Sequence, residues 1–361
     1  MTTYDVRARR THSGWSLLTG AALAAAGLWW RQDRQRRETS DSQAPARVPD
    51  PHGRAADKPT DIPARGWKDI AMRVYSRIGE DRILVIAAGT VFYGILALFP
   101  AIAAFVSLYG VFASPADVAN KIGSMSSVLP GGAIDIIGDQ MTRVVSQSNG
   151  SLGISAIVGL LIALWSANAG TKAVFDGLNV AYREKEKRSF ISLNITSLIF
   201  TLCMLVFALV ALAAIAIVPN VVDRLGLGQV GKWAVTIGQW PVLLVLVSLV
   251  FACLYRFGPS RDEPKWRWIT PGSVFAAVVW LAASLLFSWY AASFGSYNAT
   301  YGSLGAIIGF MTWMWISVIV VFVGGMLNAE IEHQTDKDTT VGAPKRMGAR
   351  GAYVADVKPA R

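Results

Sequence analysis

The chain has 361 residues, of which 53% are hydrophobic and only 16% charged, where soluble domains usually carry about 25% charged residues. Its formal net charge is +10, yet the basic residues lie in connections and tails beside long uncharged stretches, so membrane topology accounts for them rather than nucleic-acid binding. Cys203 and Cys253 both sit inside apolar stretches and give neither a disulfide framework nor a metal site.

In chain order, a polar, basic start precedes the apolar run Gly14 to Trp30, and Arg31, Arg34, Arg36 and Arg37 follow at once. At about 1.5 Å per residue this run barely crosses a core of about 30 Å, and it reads as a short accessory anchor or interfacial helix. Residues 31–64 are rich in Arg, Asp, Pro, Ser and Gln. They bury too little surface to offset their ordering entropy, so 1–64 is expected to be an anchor plus a disordered linker. Residues 65–82 place Ile70, Val74 and Ile78 on one side with Lys and Arg between, the pattern of an amphipathic helix on the membrane interface.

Residues 65–332 then carry six expected spans, near 83–110, 151–170, 191–218, 233–256, 270–293 and 304–327. None holds an Asp, Glu, Lys, Arg or His, except that Arg256 closes the fourth. Pro100 predicts a tilt or kink in the first, and Thr270-Pro271 predicts the cap and first residue of the fifth. Connections 171–190 and 257–269 are richer in Lys and Arg than those on the other side. With six spans, all the basic segments fall on one side, which the positive-inside rule makes the cytoplasm of a bacterial plasma (inner) membrane. The long connection 111–150 predicts two short outer helices, with Asp139 and Arg143 forming an i,i+4 pair. The tail 333–361 is polar and expected to be disordered. The fold class is therefore all-α, a polytopic transmembrane helical bundle.

Small residues recur every four positions at Ser151, Ser155, Gly159, Ala163 and Ala167, and again at Gly305 and Gly309. Such stripes let helices approach closely, and the same pattern would also line a substrate cavity. Most of the 13 tryptophans fall near span ends, as interfacial anchors do, whereas Trp313 and Trp315 lie inside the sixth span.

No intramembrane carboxylate marks a proton relay. The richest polar constellation closes the second span: Asn168, Lys172 and Asp176 lie four apart on one helix face, followed by Asn179. Lys172 and Asp176 form either a simple ion pair or a headgroup-binding vestibule. Asn328 and Glu330 end the sixth span, with Glu330 facing either a groove or cytoplasmic water. Tyr93 and Tyr301 complete the candidate substrate-binding set. The three histidines, His12, His52 and His333, lie in tails or at a span end, and no catalytic motif appears, so no enzyme, cofactor or metal is expected.

Several segments resemble the YihY/BrkB family of bacterial inner-membrane proteins: AAGTVFYGILALFPAIAAFVSLYG (87–110), LWSANAGTKAVFDGLNVAYREKEKRSF (164–190), LYRFGPS (254–260), ITPGSVFAAVVW (269–280) and YGSLGAIIGFMTWMWISVIVVFVGGMLNAEIEHQT (301–335). The resemblance covers about residues 70–335 and implies six helices, cytoplasmic termini and inner-membrane residence. Asn168, Lys172, Asp176, Asn328 and Glu330 fit the family pattern. Met326 stands where that pattern usually has an acidic residue. Some members carry an older ribonuclease label, for which this chain offers no chemistry. The expected function is to transport or flip an amphipathic, lipid-like substrate of the envelope, with membrane lipids as partners and no nucleic acid. The alternative is a non-transporting membrane scaffold.

Overall fold

Long uncharged runs can satisfy their backbone polar groups in hydrocarbon only through internal helical bonds. The computed structural model describes residues 50–112, 152–224, 228–293 and 303–358, and over these the chain is all-helical. A short helix α1 (Ala64–Glu80) leads into six long ones: α2 (Ile83–Phe112), α3 (Leu152–Ala181), α4 (Phe190–Arg224), α5 (Gly228–Phe257), α6 (Trp266–Ser293) and α7 (Ser303–His333). One turn of helix, α8 (Tyr353–Asp356), closes the described tail. Among the described residues, four of the long helices carry apolar stretches long enough to cross a membrane: Phe190–Phe207, Ile237–Phe257, Trp266–Tyr290 and Ile307–His333. Helix α2 is 30 residues long and carries no charged residue. The outward faces hold large exposed apolar side chains, among them Leu161, Trp165, Ile191, Val245, Leu286 and Trp289. A surface of this kind is stable against lipid and a liability against water.

Helix α2 continues as helix through Pro100, and one boundary differs from expectation. Helix α6 starts at Trp266, so Pro271 lies inside it rather than at its first position. The proline removes a donor there, and the next amide, Gly272 N, donates to Asn328 Oδ1 at 2.8 Å. The N-terminal run 14–30, the outer segment 113–151 and Tyr301 lie outside the described residues.

The start of α2, the end of α3, the end of α5, the start of α6 and the end of α7 share one filled core. It contains Ile83, Leu178, Tyr182, Phe251, Tyr255, Ile269, Phe322 and Met326. Met326 is thus a fully buried packing residue. The basic connections 182–189 and 258–265 meet at this same end, where Arg188 Nη2 donates to Gly258 O (2.8 Å) and Ser260 N to Asn179 Oδ1 (2.7 Å). Helix α7 packs against α1, α2, α3, α6 and α8. Helix α4 packs against α3, and none of its described residues belongs to the core cluster.

Among the described residues, the α6 and α7 backbones approach closely at a glycine outside the four-residue stripe. Along the stripe, Ala163 is buried, Ala167 half-buried, and a Cβ at Gly159 would meet nothing within 4 Å. At Gly272 a Cβ would collide with Gly324 O and lie 2.5 Å from Asn328 Cγ. Backbone cannot swing aside as a side-chain tip can. Gly272→Ala is therefore expected to cost about 1–3 kcal/mol, read as a lower unfolding midpoint in detergent. Gly159→Ala, with open space around it, should leave the midpoint unchanged.

The described parts of both tails, 50–63 and 334–358, are folded where disorder was expected. Residues 51–63 include a 3-10 turn at Pro59–Asp61, and Ala56 and Ile62 are buried with Trp268 and Ile331. Ile70 and Val74 of α1 join the same cluster. The apolar stripe of α1 therefore docks on the bundle, whereas the sequence reading laid it on lipid. The C-terminal tail folds back as well: Thr335 Oγ1 donates to Ala56 O (2.7 Å), and Asp336 N to Arg54 O (2.8 Å). Arg350 donates to the carbonyls of Asp336, Lys337 and Ala355. Composition missed these segments because a few buried residues, Ala56, Ile62, Ala352 and Val354, anchor otherwise polar chain.

Candidate functional site

The sequence singles out Asn168, Lys172, Asp176 and Asn179 on α3, and the structure divides them between two settings. Asn168 and Lys172 face α4. Lys172 Nζ donates to Asn194 Oδ1 at 3.0 Å, and Asn168 Nδ2 donates to the same oxygen at 3.3 Å. Asn194 is held in turn by its own Nδ2, which donates to Phe190 O (2.7 Å). Next to them, Thr171 Oγ1 and Thr201 Oγ1 are 2.7 Å apart, and Thr201 and Ser197 donate back to their own helix. Asn168, Ser197 and Thr201 are buried. The result is a polar seam between two apolar helices.

Lys172 does not pair with Asp176, although they stand four apart on one helix. Its ammonium goes to Asn194 and also lies over the Trp165 ring, 5.6 Å from the centroid. Asp176 is exposed and makes no hydrogen bond or ion pair among the described residues. Asn168 Oδ1 is buried and likewise without a hydrogen-bond partner there. Tyr93 is exposed on α2 and packs edge-on against Phe92.

Asn179 is a staple. It accepts from Ser260 N and donates through Nδ2 to Glu186 Oε2 at 3.0 Å, tying the two basic connections together. Burial works against the charge of Glu186, but hydrogen bonds from the Arg188 side chain and backbone and from Asn179 outweigh it and lower the carboxyl to about 2. A depressed carboxylate contributes stability above its unfolded value, near 4.3, that is lost as pH falls toward the folded one. Amide exchange in 182–189 should therefore quicken between about pH 4 and 2. Glu186→Gln should remove that pH step.

Glu330, expected in a groove or in water, is in neither. It is fully buried and clasped by α1: Arg73 Nε donates to Oε2, and Arg77 Nη1 to Oε1 at 3.0 Å. Arg77 is itself 1% exposed and also donates to Val180 O and Ala181 O, the open carbonyls at the end of α3. A second buried pair joins Arg261 to Glu332 through two bonds of 3.1 and 2.7 Å, and Thr339 Oγ1 donates to the same carboxylate. Asn328 is fully buried and holds Gly272 N. Asn328 and Glu330 are therefore part of the closure of this end, away from the α3–α4 seam. The residues that sequence reasoning missed are Asn194, Arg73, Arg77, Arg261 and Glu332. Asn194, Ser197 and Thr201 fall on one helical face, a signal that the strong hydropathy of the run conceals.

Trp313 and Trp315, inside the sixth span, make contacts between helices. Trp313 Nε1 donates to Ser284 Oγ (3.2 Å), and Trp315 Nε1 to Leu84 O (2.9 Å). A cavity of about 370 Å³ opens at the basic end among Lys187, Arg188, Thr196, Arg256, Ser260 and Arg261, and neither Asn168 nor Lys172 lines it. Among the described residues no group of three or more His, Cys, Asp or Glu is placed to hold a metal.

Residues 74–348, from the clasping helix to the folded tail, match the family Virulence factor BrkB. The chain belongs to that family. This BrkB-family chain is 32% identical over 250 residues to the ribonuclease-like protein YfkH of Bacillus subtilis (strain 168), covering 67% of this chain and 88% of that one. It is 30% identical over 193 residues to a UPF0761 membrane protein of Glaesserella parasuis serovar 5 (strain SH0165), covering 53% and 65%. The UPF0761 membrane protein NTHI0384 of Haemophilus influenzae (strain 86-028NP) is 22% identical over 271 residues, covering 73% and 96%. No solved structure matches. Family, helical class and apolar outer faces agree that this is a membrane protein.

Proposed function

We propose that this BrkB-family protein binds and moves an amphipathic, lipid-like molecule of the envelope. In this reading it crosses the bacterial inner membrane six times, with its basic end in the cytoplasm. One observation carries it: Lys172 is a half-buried cation bonded to no carboxylate among the described residues, set in a polar seam whose borders, Trp165, Ile191 and Ile195, face outward. A lipid can use such a seam with its polar part inside and its chains outside, with no charge at the midplane. No chemical step is assigned, and RNA hydrolysis is not part of this reading.

The test is flux of a fluorescent lipid across liposomes containing the purified full-length chain. Transfer should exceed that of empty liposomes, and Asn194→Leu, which removes the shared acceptor, should slow it. Equal rates with and without protein would contradict the proposal. The closed core at the basic end favours the second reading, a scaffold. In that case flux would match empty liposomes while the protein still co-purified with envelope partners.

A further inference from the structure

The seam reading leaves the chemistry of the polar part open, and the geometry narrows it. We infer that the α3–α4 seam takes the phosphate of a phospholipid headgroup, with Lys172 as its counter-charge; this rests on the proposal above. Arg350 of the tail is held by backbone carbonyls. The described buried and half-buried arginines of the long helices, of α1 and of the two basic connections each face a carboxylate: Arg73 and Arg77 face Glu330, Arg188 faces Glu186, Arg256 faces Glu263 and Arg261 faces Glu332. Those sites are electrically complete. Lys172 is different. Its hydrogen-bond partner is a neutral amide oxygen, its other neighbour an aromatic face, and the Asp176 carboxylate one turn away acts on it through space without bonding to it. A cation held this way keeps donor capacity for an anion, and a charge-assisted bond to phosphate uses it best.

The second observation is Asn168. It is 95% buried, judged by its 5% exposure, and its Oδ1 is without a partner although its Nδ2 is bonded within the seam. A buried acceptor left open is costly, and a ligand O–H or N–H relieves that cost. The seam thus offers one cation and one open acceptor. That suits a headgroup carrying phosphate oxygens together with a hydroxyl or ammonium, and it does not suit a bare hydrocarbon.

Depth separates a lipid from a soluble anion. Asn194 lies one turn into α4 from its start at Phe190, at the basic end, so the site stands near headgroup level rather than at the midplane. Trp165, 67% exposed, and Ile191, 70% exposed, flank it with surface for acyl chains. A free phosphate would use Lys172 and leave those side chains unused.

The experiment measures binding to the full-length chain in detergent by quenching of tryptophan fluorescence and by native mass spectrometry. The probes are phosphatidylglycerol, diacylglycerol with the same chains, and inorganic phosphate. Phosphatidylglycerol should bind about tenfold or more tightly than diacylglycerol, and the gap should narrow at high salt. Lys172→Gln should bring the gap to within about threefold, and Lys172→Arg should keep it. Equal binding of the two lipids to the natural chain would overturn the inference, as would a gap that Lys172→Gln leaves unchanged. Inorganic phosphate competing as well as the phospholipid would show a soluble-anion site and overturn it too. Binding of neither lipid would instead defeat the seam reading itself. If Lys172→Gln does not fold, the salt dependence of the natural chain and the Lys172→Arg variant still decide.

Discussion

Replacing Glu330 with alanine is expected to lower the stability of the folded chain by about 3–5 kcal/mol, the usual cost of removing one partner from a buried ion pair. The Glu330 carboxylate is fully buried and receives Arg73 and Arg77 together. Without it, Arg77, at 1% exposure, keeps Asp81 and the carbonyls of Val180 and Ala181, so the loss should fall toward the lower end of that range. Arg73 is 24% exposed, so Arg73→Ala should cost clearly less. Denaturant or thermal unfolding in detergent would read the order. An effect of Arg73→Ala equal to that of Glu330→Ala would mean that the clasp is not organised around the buried carboxylate. Because this carboxylate is where Arg73 and Arg77 tie α1 to α7, the Glu330 variant should also loosen α1 from α7, and faster proteolysis between 50 and 80 should show it.

Removing Arg261 should cost at least as much, about 3–5 kcal/mol and toward the upper end. Both partners, Arg261 and Glu332, have no exposed side-chain surface. The guanidinium supplies two bonds to the carboxylate and lies over the Tyr182 ring at 5.2 Å. Arg261→Ala would leave Glu332 with Thr339 as its remaining side-chain donor. The physics also gives a rescue. A buried pair replaced by apolar residues of similar size is often neutral or stabilising, so Arg261→Met with Glu332→Leu should recover much of the lost stability. A double variant as unstable as the single one would show that the pair is needed for its shape rather than to neutralise its partner's charge. The detachment of the tail in either variant can be followed at Tyr353 N, which donates to Glu184 Oε1 at 2.6 Å in the intact structure.

Hydropathy made the helices legible, because a run without charges in hydrocarbon has one way to satisfy its backbone. The clustering of basic connections at one end could be read for a similar reason: charges avoid lipid and gather where water is. The polar face of α3 could be found at Asn168 and Lys172, but its partner could not, since which helix lies opposite is a matter of tertiary packing. Asn194 therefore became visible only in the fold. Periodicity in α1 was sound, but it does not say whether an apolar face meets lipid or protein, and Ile70 and Val74 meet protein. The buried ion pairs were hidden for a further reason. Arg77, Arg261, Glu330 and Glu332 stand in charged stretches that normally face water, and only the enclosure formed by α1 and the tail takes them out of it. Small-residue spacing likewise marked a face of α3 without marking the close approach of the α6 and α7 backbones at Gly272 and Gly324.

The account depends most on where the basic end lies relative to the bilayer. The direct measurement is labelling of single cysteines by a membrane-impermeant reagent in intact cells, with Cys203 and Cys253 replaced by serine. A cysteine at Lys185, in the basic connection, should be labelled only after the inner membrane is permeabilised. One at Gly228, where α5 begins at the opposite end of the α4–α5 hairpin, should be labelled from outside. Labelling of position 185 in intact cells, or the same response at both positions, would contradict the account.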